Sequence, residues 1–255
     1  MPVVSKLAIA PVKGLALVHP TEVVLGLHGV AHNRRFFLVA ADGRHRSGLA
    51  FGPLAAVVPD YDPASERLVL RFPDGRIVDG DGSAVDGEIH VPWGAARVIH
   101  AHVVDGPFAE ALSEYVGTDL RLVRTNDDAH PQSYPASIVS EASLDELERS
   151  ADLPEPLDGR RFRMLVTLAG CEAFEEDRWV GGEVRMGQAV VRVAVPTARC
   201  ATTTRDPATG QRDWDALRAL KDLRGVSPEQ TVDLGVYAAV VSPGRIAVGD
   251  AVTPA

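Results

Sequence analysis

The chain has 255 residues, 45% hydrophobic and 24% charged, which is enough for one large or two small folded domains and excludes a disordered chain. Its formal net charge of −9 argues against a non-specific nucleic-acid binder, which needs a basic face. Two cysteines, Cys171 and Cys200, make neither a disulfide framework nor a four-cysteine zinc site.

The amino-terminal MPVVSKLAIAPVKG lacks the long apolar run of a secretory signal, and no stretch approaches the ~20 apolar residues of a membrane span. A soluble, cytoplasmic protein is expected. Short β-branched runs at Val3–Ile9, Glu22–Leu25, Phe36–Ala40, Arg67–Phe72 and Arg97–Ala101 read as strands. Ala41-Asp42-Gly43, Pro73-Asp74-Gly75 and Asp79–Gly82 read as the turns between them. This spacing predicts a small antiparallel barrel or sandwich. Pro107–Val116 is a predicted helix, with Phe108, Ala111, Leu112 and Tyr115 in one stripe and Gly117 ending it. Leu120–Arg124 is the next strand, and the polar segment Asn126–Ser133 is a loop suited to act as a hinge or to cover a ligand.

Ser140–Leu147 opens a second helix, with Ser143 and Glu146 spaced as a capping box. Arg163–Leu168, Val184–Met186 and Ala189–Val195 follow as strands, then a helix over Asp213–Arg224. Val232–Val241 and Ile246–Val248 close the chain around the turn Ser242-Pro243-Gly244. The fold class is mainly β with a few helices (α+β). A soft boundary near residue 103 divides residues 1–103, a β-barrel-like domain, from 104–255.

Cys200 follows a strand that ends at Pro196, adjoins Arg199 and precedes Ala201 and three threonines. A neighbouring guanidinium and hydroxyl donors lower a thiol pKa, and the thiolate is the form that ligates metals or attacks. A buried structural cysteine is the alternative reading of the same window. Cys171, in Ala169-Gly170-Cys171-Glu172-Ala173, reads as a packing residue. Cations stand at strand ends: Lys13 after Pro11, Arg34 and Arg35 before Phe36-Phe37-Leu38-Val39, and Arg160, Arg161 and Arg163 before another apolar run. Each is either solvated and paired, or part of one anion site. His100 and His102 alternate on a strand and share a face, but no third ligand stands at a metal-binding interval. No glycine loop for phosphate is visible, because Val180-Gly181-Gly182-Glu183 opens no helix.

Three stretches together resemble a MOSC domain: GRRFRMLVTLAGCEAFEEDRWVGGEVRMG (159–187), Pro196–Cys200 with TTTRDPATG (202–210), and the closing LGVYAAVVSPGRIAVGD. The stretch LAIAPVKGLALVHPTEVVLGLHGVAHNRRFFLVAADG resembles the β-barrel that precedes MOSC in one branch, which includes the mitochondrial amidoxime reducing component and its bacterial relatives. The resemblance implies an amino-terminal β-barrel-like domain, a MOSC β-barrel and a molybdenum cofactor, a pterin dithiolene with a terminal phosphate. It implies Cys200 as the molybdenum ligand, a soft thiolate donor to a high-valent metal. It places Lys13, Arg35, Arg163 and Arg199 around the cofactor, and Ser133 near its phosphate.

Some positions depart from the family pattern. Arg34, with Asn33 beside it, replaces an aspartate; Met164-Leu165 replaces a Pro-Asn pair; Leu49-Ala50 stands where an Arg-Gln pair is usual. The activity implied is reduction of N-hydroxylated or N-oxide small molecules. Electrons would come from a separate flavoprotein, haem or iron–sulfur donor, since no such motif is present in the chain. Two other functions fit the resemblance: a sulfur carrier using a Cys200 persulfide, and a cofactor-poor binding module that keeps the fold.

Overall fold

The computed structural model describes residues 1–46, 51–93, 97–125, 134–151, 153 and 155–254. Its largest sheet has seven strands in the order Val3–Leu7, Val166–Ala169, Ala136–Ser140, Asp233–Ser242, Ala189–Ala198, Glu183–Met186 and Val252–Pro254. The edges nearly meet. Val3 bridges Ala251, Val4 N donates to Asp250 O at 2.9 Å, and Val252 N donates to Pro2 O at 2.9 Å. The result is a nearly closed barrel, which leaves little free sheet edge. Alternation fills its interior: Val4, Leu7, Ile138, Val166, Leu168, Val184, Val191, Val193, Val236 and Ala238 are buried. With so few aromatic residues, the core relies on these branched aliphatic side chains.

A second, five-stranded antiparallel sheet runs His45–Arg46, Phe36–Ala40, Leu120–Thr125, Arg97–Val104 and Val85–Trp93. All five residues of Phe36–Ala40 are buried because both faces are covered. Phe36 and Leu38 pack with Phe108 and Leu112 of helix α1 (Phe108–Val116), whereas Phe37 and Val39 pack with Val91, Ile99, Ala101 and Val123. Helix α1 ends at Gly117 in the left-handed conformation, φ 67°, as the sequence predicts. The strand pairing crosses the expected boundary at residue 103 in both directions. Leu120–Thr125 pairs with Phe36–Ala40, while Val3–Leu7 belongs to the barrel built mostly from the carboxyl-terminal half.

Three local expectations are corrected. Helix α2 (Glu141–Ala151) begins earlier than the predicted capping box, because Ser140 Oγ accepts from Ser143 N at 3.1 Å. Ser143 is buried and donates instead to Glu176 at 2.8 Å, and Glu146 pairs with Arg149. The expected turn at Asp79–Gly82 starts within strand Ile77–Asp81, whose Asp79 carboxylate takes the Arg67 guanidinium across the sheet. The strand predicted from Arg163 begins only at Val166, because Gly159–Phe162 is a 3-10 turn capped by Asp158. Helix α3 (Ala216–Arg224) is capped by Asp215, which accepts from Arg218 N. Asn126–Ser133 and Leu49-Ala50 lie outside the described residues. No helix among the described residues is long and apolar enough to cross a membrane.

Candidate functional site

Strand Ala189–Ala198 delivers Arg199 and Cys200 to one side of a cleft of about 240 Å³. Cys200 has extended backbone and caps the 3-10 turn Ala201–Thr204. Thr203 donates to Cys200 O twice, from its backbone N at 3.0 Å and from Oγ1 at 2.9 Å. The thiol is exposed and donates to Thr202 Oγ1 at 3.4 Å. It is therefore an accessible group on a fixed loop that solvent and ligands can reach. The other cysteine is its opposite. Cys171 packs against the barrel core, and burial, with Glu175 and Glu176 nearby, pushes its thiol up to about 12. That thiol is inert, which agrees with the packing role predicted for it.

Arg161 holds the Cys200 loop from behind. Its guanidinium pairs with Asp213 at 2.9 Å, donates to Thr203 O at 3.0 Å and lies over the Trp214 ring. Downstream, Gly210 approaches Gly52 so closely that a β-carbon on Gly210 would fall 1.7 Å from Gly52 O. Gly210 also has φ 71°, so only glycine fits there, and the contact fastens this loop to the amino-terminal part of the fold.

Besides Arg161, six cations line the cleft: Lys13, Arg34, Arg160, Arg163, Arg199 and Arg205. Among the described residues, Lys13, Arg163 and Arg199 have no carboxylate at ion-pair distance. Asp206 is the one acidic side chain in the described lining, and its carboxylate accepts the Ala208 and Thr209 amides. Lys13 N donates to Phe36 O at 2.8 Å, and its ammonium lies over the Trp93 ring, 5.1 Å from the centroid. Burial and the Arg34 and Arg163 charges push that ammonium down to about 7. Arg163 and Arg34 are likewise held below the ordinary guanidinium value, first by burial. Arg199 donates to Phe162 O and lies 3.3 Å from Met164 Sδ, and its buried Nε has no hydrogen-bond partner among the described residues. Gathering like charges in a partly dry cleft is unfavourable in the chain by itself and becomes favourable when an anion joins them.

The backbone is strained here as well. Arg34 and Arg163 sit in the left-handed region, at φ 58° and 53°. Non-glycine residues seldom adopt it without a reason, and such strain gathers at functional sites. Arg34 N donates to Ala10 O and Asn33 Oδ1 accepts from Ala10 N at 3.0 Å, so this turn clamps the segment leading to Lys13.

The cleft thus brings together Lys13, Arg163, Arg199 and Cys200 of the expected site residues. Arg35 is not in the described lining. It is buried, its carbonyl accepts from Thr125 N at 3.0 Å, and its charge acts on Tyr61 and Glu66. The strained turn at Arg34 sends that residue into the cleft in its place. Ser133 lies outside the described residues. Sequence reasoning did not select Ser137, Met164 or Tyr237, which also line the cleft. Tyr237 stacks on Tyr134, with centroids 5.5 Å apart, and Ser137 Oγ accepts from Leu165 N at 2.9 Å. One tyrosine among the small residues of Leu234–Val241 was the available signal for Tyr237.

Fold and site together define a β-barrel protein whose cationic cleft displays a single accessible thiol. The MOSC domain family matches residues 115–253, and the chain belongs to that family. Over 98% of its length it is 34% identical to mitochondrial amidoxime reducing component 2 of Bos taurus, of which the match covers 82%. It is also 34% identical to mitochondrial amidoxime-reducing component 1 of Mus musculus, over 51% of this chain and 40% of that protein. The chain thus spans well under half of some curated relatives it matches. The YUAD protein of Bacillus subtilis aligns over 99% of this chain and 94% of its own, at 11% identity and a TM-score of 0.47.

Proposed function

We propose that this protein is an oxidoreductase that holds a molybdenum cofactor in the cleft and reduces N-hydroxylated or N-oxide small molecules. The observation that carries the reading is the convergence of Cys200, Lys13, Arg163 and Arg199 on one cleft. The similarity to amidoxime reducing components supports the reaction class.

The donor set fits an anionic, metal-bearing pterin. Cys200 offers the soft sulfur ligand. Arg163 and Lys13 offer a fork and a point charge for anionic groups, and the orphaned Arg199 Nε leaves a buried donor for a ligand to satisfy. Met164 presents a thioether where the family pattern has a proline, and Leu165 is buried in the barrel core, so some polar contact to the pterin is exchanged for apolar packing. When bound, the cofactor would supply the two-electron chemistry that removes oxygen from nitrogen. The chain's own residues orient it: Arg161 fixes the Cys200 loop, and the strained turns at Arg34 and Arg163 aim charges that an exposed surface would not hold together. Electrons would arrive from a separate carrier protein.

The test is turnover of an aromatic amidoxime by cofactor-loaded protein with a chemical reductant. Turnover that disappears in Cys200→Ser is expected, and absence of turnover by the loaded wild type would overturn the reading. Cyanide-labile sulfur on Cys200 in protein free of metal would favour the sulfur-carrier function instead.

A further inference from the structure

The antiparallel ribbon of Val85–Trp93 and Arg97–Val104 carries a cluster that the cleft chemistry does not use. Its register sets His90 opposite His100 and Glu88 opposite His102. Alternation sends Val91, Ile99 and Ala101 into the core beneath, so these four residues share the outer face. No regular spacing along the chain announces the group, because its members come from two strands joined only by register.

The distances suit a metal ion. Glu88 Oε1 lies 3.0 Å from His100 Nδ1 and 3.6 Å from His90 Nε2. The two imidazole centroids are 4.4 Å apart, and one ligand atom from each of Glu88, His90 and His100 lies within 4.8 Å of the others. A tetrahedral zinc ion with ligands at about 2.0–2.1 Å spaces them roughly 3.3 Å apart. The two Glu88 separations bracket that spacing, and the strand ladder already fixes the backbone beneath it. Two imidazoles and one carboxylate form a borderline-soft set that favours zinc over calcium or magnesium, which demand more oxygen ligands.

We propose that Glu88, His90 and His100 form a binding site for one Zn²⁺ ion on the exposed face of this ribbon. Three protein ligands leave a coordination position for water or for His102. None of the three lines the described cleft, so the site is independent of the cofactor.

The test is calorimetric titration of the chelator-treated chain with Zn²⁺ in a Cys200→Ser background, which removes the cleft thiol as a competing ligand. One Zn²⁺ per chain is expected, with affinity at least tenfold weaker in His90→Ala, His100→Ala and Glu88→Gln. Zn²⁺ should raise the Tm of the background protein and leave the Tm of these variants unchanged. Affinity equal across the variants, or no saturable binding once Cys200 is replaced, would overturn the assignment.

Discussion

Two basic regions lie a few residues apart in sequence and have opposite energetics. Arg161 is buried against Asp213, two backbone carbonyls and the Trp214 ring, so its charge is satisfied within the fold. Arg163, two residues on, faces the cleft, with Leu15 O as its acceptor at 2.8 Å and left-handed backbone. The first arginine is paired with a carboxylate and the second has none at ion-pair distance among the described residues. Residue type did not distinguish the two members of this pair. What distinguishes them is whether the fold supplies the counter-charge.

The largest effect should come from the group that has no structural duty. Cys200→Ser is expected to reduce turnover to background while leaving the melting temperature unchanged, as read by activity assay beside thermal denaturation. Next, Arg161→Ala should cost about 3 kcal/mol of stability, because it leaves Asp213 and two backbone carbonyls, one of them buried, without their donor. Denaturant unfolding measures this, and a cost near zero would erase the distinction between brace and cleft.

A further effect concerns pH. Lys13 in the folded chain titrates near 7, against the ordinary 10.5 of an unfolded lysine. Between those values the unfolded chain binds the extra proton, so stability from this group rises with pH across that window. Below about 7 both states carry the charge and the full penalty of burying it applies. Lys13→Met should therefore flatten the rise in unfolding free energy between pH 7 and 10, measured without cofactor. A bound anion keeps Lys13 protonated, so loaded wild type should show the weaker pH dependence too.

Much of the barrel was legible because its strands are runs of β-branched and small apolar residues: Ala189, Val191 and Val193 alternate into the core, and Leu234, Val236 and Ala238 do the same on the neighbouring strand. Closure was not legible, since the pairing of Val3–Leu7 with Val166–Ala169 spans about 160 residues and leaves no local mark. Arg163–Leu165 looked like strand because its side chains are apolar or long, yet the 3-10 turn Gly159–Phe162 ends at Arg163 with left-handed backbone before the strand starts. The window around Cys200, with Arg199 beside it and hydroxyls after it, left an activated thiol and a buried structural cysteine both open, and the structure shows the thiol exposed. The place of Arg34 in the cleft lining was not legible, because it depends on a left-handed φ at that one residue. The Glu88–His90–His100 group was hidden for the same reason as barrel closure: cross-strand register is a property of the folded sheet.

The central claim is that the cleft cations and Cys200 serve one anionic, metal-bearing ligand. Elemental analysis of protein purified from a molybdate-replete host able to make the cofactor tests it most directly. About one molybdenum per chain in the wild type, lost in Cys200→Ser and reduced in Arg163→Met, is the expected result. Molybdenum-free wild type from such a host, or equal loading of the wild type and Cys200→Ser, would contradict it.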